Sequence, residues 1–114
     1  MGKLIRFGKT KEIETVLKNG RAFFGKDLTL KFLPNSFPTN RLAIIVSNAI
    51  HKNSTVRNHL RRIIRDQFKK TPFAPATAID LIVIVSKSVS KYLNKKERDL
   101  KIREGLSYAL KKIR

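Results

Sequence analysis

The chain contains no cysteine. Disulfides, thiolate metal sites and a cysteine nucleophile are therefore excluded. Acid is scarce: 8 Asp+Glu stand against 26 Lys+Arg, a formal net charge of +18. The acids are Glu12, Glu14, Asp27, Asp66, Asp80, Glu97, Asp99 and Glu104, spread along the whole length. They form no cluster of the kind a two-metal nuclease needs. Long apolar runs are missing as well. The longest, Leu42 to Val46 and Ala78 to Val85 (interrupted by Asp80), are far too short to span a bilayer. Residues 1–9 lack the apolar core and small-residue cleavage site of a secretory signal, so a cytoplasmic location is expected. No internal repeat or low-complexity block is present.

What is present suits one folded domain over residues 1–114, with 41% apolar residues. The excess of positive charge repels other copies of the chain and attracts polyanions. RNA, DNA and an anionic membrane surface are the classes to separate.

The apolar pattern sets out the elements. Thr10 opens a helix with Glu12 and Glu14 in its first turn, the sign the helix dipole favours; Ile13, Val16 and Leu17 share a face and Gly20 ends it. Arg21 to Phe24 is a short aromatic segment, and Gly25-Lys26-Asp27 reads as a turn. In Leu28 to Leu33, Leu28, Leu30 and Phe32 alternate with Thr29 and Lys31, which predicts a half-buried strand. Pro34 to Asn40 is a loop. Arg41 to Ser47 and Ile79 to Ser86 are nearly continuous apolar runs and predict central strands. Between them, Ser54 to Lys70 predicts a helix stopped by Pro72. Lys87 to Leu93 is a connection. Asn94 with Glu97 caps a last helix whose buried stripe is Ile102, Leu106, Ala109, Leu110 and Ile113; Gly105 inside it predicts a kink or close packing. The order is α-β-β-β-α-β-α, an α/β (α+β) two-layer sandwich with a sheet of about four strands.

The helix from Ser54 to Lys70 carries the functional signal. On a helical wheel, Val56, Leu60, Ile63, Ile64, Gln67 and Phe68 share one arc. Arg57, Asn58, Arg61, Arg62, Arg65 and Lys69 occupy another, and His59 and Asp66 lie on the remainder. Arg57, Arg61, Arg65 and Lys69 recur every fourth residue. Like charges at that spacing cost a few tenths of a kcal/mol per pair, and Asp66 is the only acid in the segment to offset them. A solvated face usually mixes signs. A phosphate backbone along the ridge accounts for this one better, because arginine binds phosphate bidentately.

Arg41-Leu42-Ala43-Ile44-Ile45-Val46-Ser47, followed by Val56-Arg57-Asn58-His59-Leu60-Arg61-Arg62-Ile63-Ile64-Arg65, resembles the signature of the bacterial ribonuclease P protein family. That signature is a strand ending in Val-Ser, a short loop, then Arg-Asn-Arg and a basic continuation on a helix. The first helix ending at Asn19-Gly20 and the basic last helix are similar to the family in order and spacing. The resemblance implies a left-handed β-α-β crossover, where handedness rules alone give a right-handed one. It implies a protein that binds a catalytic RNA and assists removal of the 5′ leader from precursor tRNA, while the RNA and its magnesium perform the cleavage. Arg57, Asn58, His59, Arg61, Arg62, Arg65 and Lys69 are then expected to touch the RNA. Ile13, Leu17, Thr29, Lys31, Ile45 and Ser47 are expected to form the cleft for the leader.

The chain departs from the family pattern at several of these positions. His59 replaces the second arginine and Asn48 a common lysine, and the loop from Ala49 to Thr55 is about one residue longer than usual. Ile13 and Leu17 stand where aromatics are frequent, Lys31 in place of a tyrosine and Ile45 in place of a serine. Each lost aromatic platform removes stacking worth about 1–3 kcal/mol per base.

The remaining side chains suggest no chemistry of their own. His51 and His59 have no positioned partner for acid–base catalysis, and no catalytic or metal-binding residue is assigned. Adjacent Phe23 and Phe24 must point to opposite faces of a strand, one to the core and the other free to stack on a base. Phe7, Phe37 and Phe73 read as local anchors, and Asp80 as a hydrogen-bonded structural acid. The rival reading is a ribosomal or architectural RNA-binding protein. A DNA-reading helix-turn-helix is disfavoured because a strand, not a helix, precedes Ser54. A membrane-surface role is disfavoured because the apolar helix faces are needed for the core.

Overall fold

The computed structural model describes residues 5–6, 10–35, 39–47, 50–71 and 78–113. Phe7, Phe37, Asn48, Pro72 and Phe73, each given a role from the sequence, lie outside them. The elements are β1 (Ile5–Arg6), α1 (Thr10–Asn19), β2 (Arg21–Phe24), β3 (Leu28–Pro34), β4 (Arg41–Ile45), α2 (Ser54–Lys70), β5 (Ile79–Val85), a short 3-10 turn (Lys87–Lys91) and α3 (Lys95–Lys112). The sheet has five strands in the order β1-β4-β5-β3-β2. Four of them match the expected sheet. The fifth, β1, is two residues pairing parallel with the start of β4. β4 and β5 are parallel neighbours joined through α2, and β3 runs antiparallel to β5 and β2.

Helices pack on both faces of the sheet. Leu42, Leu81, Val83 and Leu30 face α2 and α3, and join Leu60, Ile64, Ile102 and Leu106 in the main core. Alternate residues of the same strands, Ala43 and Ile82, face the other way and pack under Val16 of α1. β5 is buried on both faces because α1 covers the side that α2 and α3 leave open, which is why it is continuously apolar from Leu81 to Val85.

Three junctions fix α1 on the sheet. Gly20 turns the chain from α1 into β2. A Cβ there would stand 2.4 Å from the Val16 carbonyl oxygen and 2.8 Å from that of Phe32, so only glycine fits. Lys31 Nζ donates to the Leu17 carbonyl at 2.9 Å, placing a cation at the helix C-terminus where the dipole favours it. At the other end, Arg41 donates to both carboxylate oxygens of Asp80 at 2.7 Å and to Glu12 Oε2 at 2.9 Å. Asp80 is the structural acid expected, accepting also from Asn35 Nδ2 at 2.8 Å. These carboxylates hold the Arg41 guanidinium well above its ordinary pKa, the Asp80 hydrogen bonds being the largest cause.

α2 and α3 start and stop close to where the sequence places them. Asn53 caps α2, its side chain accepting from Thr55 N at 2.8 Å. Asn94 caps α3, accepting from Lys96 N and Glu97 N. Gly105 causes no break: α3 is continuous across it and lies close over Leu28.

Candidate RNA-binding surface

α2 presents three faces, and each has a separate task. Leu60, Ile63, Ile64 and Phe68 are buried against the sheet. The arc holding His59 and Asp66 faces α3. His59 Nε2 lies 2.8 Å from Asp99 Oδ2, and Asp66 Oδ2 accepts from Arg103 Nη1 at 2.9 Å. Lys70 Nζ also reaches Asp66, at 3.1 Å. Lys70 and then Arg103 hold the Asp66 carboxyl below its ordinary pKa. Gln67, placed on the buried arc by the wheel, is half-buried and bonds Thr71 Oγ1 at the helix end.

The third face is the basic ridge. Asp66 is turned to Arg103 and Lys70, so the one acid in the helix does not offset the ridge cations. Arg57 Nη1 donates to the carbonyls of His51 and Lys52 at 2.8 and 2.9 Å, bracing the loop before the helix. Asn58 Oδ1 accepts from Arg61 Nη1 at 2.9 Å, and Arg61 Nη2 reaches the Val46 carbonyl at 3.5 Å. Asn58 thus aims Arg61 across the end of β4. Arg62 and Lys69 are exposed and make no hydrogen bond or ion pair among the described residues. Arg65 is half-buried beside them.

His51 and His59 do not form a pair. His51 Nδ1 accepts from Asn53 N at 3.0 Å, while His59 is engaged by Asp99. Among the described residues no group of three or more His, Cys, Asp or Glu side chains is placed to hold a metal ion. None of the helices over these residues is long and apolar enough to cross a membrane.

The second set of expected site residues lies on the α1 face of the sheet. Ile13, Leu17 and Ile45 are half-buried against the Val16, Ala43 and Ile82 cluster. Thr29 pairs with Ile84, and Ile84 with Ile45, so the three share a row across β3, β5 and β4. Lys31 is one row closer to the helix, its ammonium taken by the Leu17 carbonyl. Ser47 lies past the end of β4 and is exposed. Five of the six thus lie along α1 and the sheet face it covers, and Ser47 lies just past the β4 edge of that face.

Comparisons with known proteins bear on the family and the fold. A family model described as Ribonuclease P matches residues 1–113. The chain belongs to the ribonuclease P protein family. A ribonuclease P protein component of Aromatoleum aromaticum is 39% identical over 79 residues, covering 68% of this chain and 65% of that protein. One from Lachnoclostridium phytofermentans is 34% identical over 88 residues, covering 77% and 74%. The matched region thus spans just under two thirds of the Aromatoleum protein. In three dimensions the chain resembles the Staphylococcus aureus RNase P protein with a TM-score of 0.82 and 26% identity, covering 98% of this chain and 97% of that one. The Thermotoga maritima RNase P protein gives 0.77 and 27%, covering 96% and 97%. The α+β fold of the family is therefore that of this chain, down to the mixed sheet and three helices.

Two features of this ribonuclease P surface had weak sequence signals. Arg41, in the signature strand, ties α1 to the sheet through Glu12 and Asp80. An arginine heading an apolar strand run was the available clue. Tyr92 donates to Asp27 Oδ2 at 2.8 Å and Ser88 Oγ to Asp27 Oδ1 at 2.8 Å, fastening the β2–β3 turn to the segment before α3. Nothing in the spacing of Asp27 and Tyr92 announces that contact.

Proposed function

We propose that this chain is the protein subunit of a ribonuclease P ribonucleoprotein, which removes the 5′ leader from precursor tRNA. The ridge on α2 docks against the phosphate backbone of the catalytic RNA through Arg57, Arg61, Arg62, Arg65 and Lys69. Asn58 orients Arg61. The α1 side of the sheet, with Ile13, Leu17, Thr29, Lys31, Ile45 and Ser47, receives the single-stranded leader. Cleavage belongs to the RNA, which binds the magnesium, and the protein contributes substrate affinity and charge compensation. Such an assembly works in the cytoplasm.

The observation that carries this reading is a basic ridge whose own helix acid, Asp66, is turned away from it toward α3. Asp66 is engaged by Arg103 and Lys70, so among the described residues Arg62 and Lys69 stand exposed with no acid paired to them. Holding that arrangement costs stability, and a polyanion lying along it removes the cost. Membership of the family supplies the identity of the RNA.

Reconstitution tests the proposal. The purified protein is mixed with a bacterial ribonuclease P RNA and labelled precursor tRNA at low magnesium, and leader release is followed. Faster release than with RNA alone, and none with protein alone, is expected. Tight RNA binding without stimulation would instead indicate an architectural RNA-binding protein.

A further inference from the structure

Phe24 is 77% exposed, the largest exposure of any phenylalanine among the described residues. Its neighbour Phe23 is accounted for: it packs against the main core, with its ring centroid 6.2 Å from that of Tyr108. Phe24 points to the opposite face, where it pairs with Thr29 across the β2–β3 ladder. Thr29 pairs with Ile84, and Ile84 with Ile45. These four residues make one row across four strands on the face that carries α1. The three strand spacings between β2 and β4 put its ends about 14 Å apart. Thr29, Ile84 and Ile45 are half-exposed. The next row, with Lys31, Ile82 and Ala43, lies under α1 instead. At the β4 end the row leads to Val46, whose carbonyl Arg61 reaches. At the β2 end it finishes on the open phenyl ring.

The charge around that ring is one-sided. Lys26, two residues on, is exposed, and the Lys31 ammonium sits at the α1 C-terminus. The nearest acid in the chain, Asp27, is buried and turned to Tyr92 and Ser88. An exposed aromatic ring on a sheet face that also carries a lysine suits single-stranded nucleic acid, bases stacking on rings and phosphates meeting cations.

We propose that Phe24 is a base-stacking residue for the precursor tRNA leader, at the β2 end of this row, away from the arginine ridge. This inference rests on the reading of the α1 side of the sheet as the leader site, and adds a residue that the family resemblance does not name. It also resolves a difficulty of that reading. Ile13 and Leu17 offer no aromatic surface from α1, and Phe24 supplies one from the opposite wall. The leader then runs across the strands from the ridge toward β2, and the base over Phe24 is a distal one.

The test uses the reconstituted holoenzyme with two substrates, precursor tRNA and the same tRNA without its leader, and a leader series with 2-aminopurine at successive positions. Phe24→Leu keeps an apolar side chain and removes the ring. It is expected to weaken precursor binding about tenfold, the low-to-middle range for one lost stack. Binding of leaderless tRNA and of the catalytic RNA is expected to stay unchanged. One distal 2-aminopurine is expected to be quenched in the wild-type complex and to brighten in Phe24→Leu, and Phe24→Trp is expected to restore both affinity and quenching. Unchanged precursor affinity and fluorescence in Phe24→Leu, with a wild-type complex that still prefers the leader-bearing substrate, would overturn the role of Phe24 alone. A wild-type complex with no such preference would overturn the leader site and this inference together. A loss of catalytic RNA binding in Phe24→Leu would overturn it in favour of a protein–RNA contact.

Discussion

His59 Nε2 lies 2.8 Å from Asp99 Oδ2, so a residue at a basic position of the family signature is held inside the molecule, between α2 and α3. This contact separates His59 from its neighbours on the helix. His59→Ala and Asp99→Ala are each expected to destabilise the fold by about 1 kcal/mol, with the double substitution costing less than their sum. Urea unfolding of the four proteins measures this. RNA affinity in His59→Ala is expected to stay within about twofold of wild type, as for substitutions away from a contact. A larger loss would mean that His59 leaves Asp99 for the RNA.

Arg62 and Lys69 are the cleanest reporters of the ridge, because neither makes a hydrogen bond or ion pair among the described residues. Arg62→Ala and Lys69→Ala should each lower the slope of log affinity against log salt by about 0.7–0.9. Their unfolding midpoints should not move. Arg57→Ala should also loosen the loop at His51 and Lys52, whose carbonyls it holds. Filter binding at several salt concentrations reads all three.

Arg41 and Asp80 form a buried bidentate pair, each side chain only 11% exposed. Arg41→Ala leaves the Asp80 carboxylate buried with Asn35 as its remaining side-chain partner, and releases Glu12 of α1. A loss of about 3–5 kcal/mol is expected, as for a broken buried pair. Denaturant unfolding measures it.

Tyr92 has its phenol pushed up to about 12, mainly by its hydrogen bond to Asp27 and then by burial. The folded state therefore keeps this proton at a pH where the unfolded chain loses it. The contribution is complete below about pH 10, the ordinary tyrosine value, and is lost as pH rises through about 12. Stability should fall across that window, and Tyr92→Phe should flatten the fall. The chain has two tyrosines, so phenolate absorbance in Tyr108→Phe follows Tyr92 alone.

Gly105 sits inside α3 without a steric reason for glycine. A Cβ there would meet Leu28 Cδ1 at 3.8 Å, an ordinary van der Waals contact. Gly105→Ala should therefore stabilise the protein by about 0.5–1 kcal/mol, seen as a higher unfolding midpoint.

Much of the secondary structure was legible in the residues themselves. α2 runs from Ser54 to Lys70, as its periodicity predicts, and Asn94 caps α3. β5 and β4 stop one and two residues short of the predicted Ser86 and Ser47. β1 was not legible, because two residues carry no period and their pairing with β4 is a long-range event. The ridge was legible as a row of cations, since a helix has a fixed turn angle and side-chain direction follows from it.

Local chemistry thus determined the charge, the order of the elements after β1, the caps and the basic face of α2. These depend on near neighbours along the chain, where spacing fixes geometry. Tertiary structure alone decided the rest. It put α1 on the opposite face of the sheet from α2 and α3. It turned His59 and Asp66 inward to Asp99 and Arg103. It also chose Phe23 for the core and left Phe24 open. Alternation requires two adjacent strand residues to face apart, but which of them meets a helix depends on how that helix packs across the sheet.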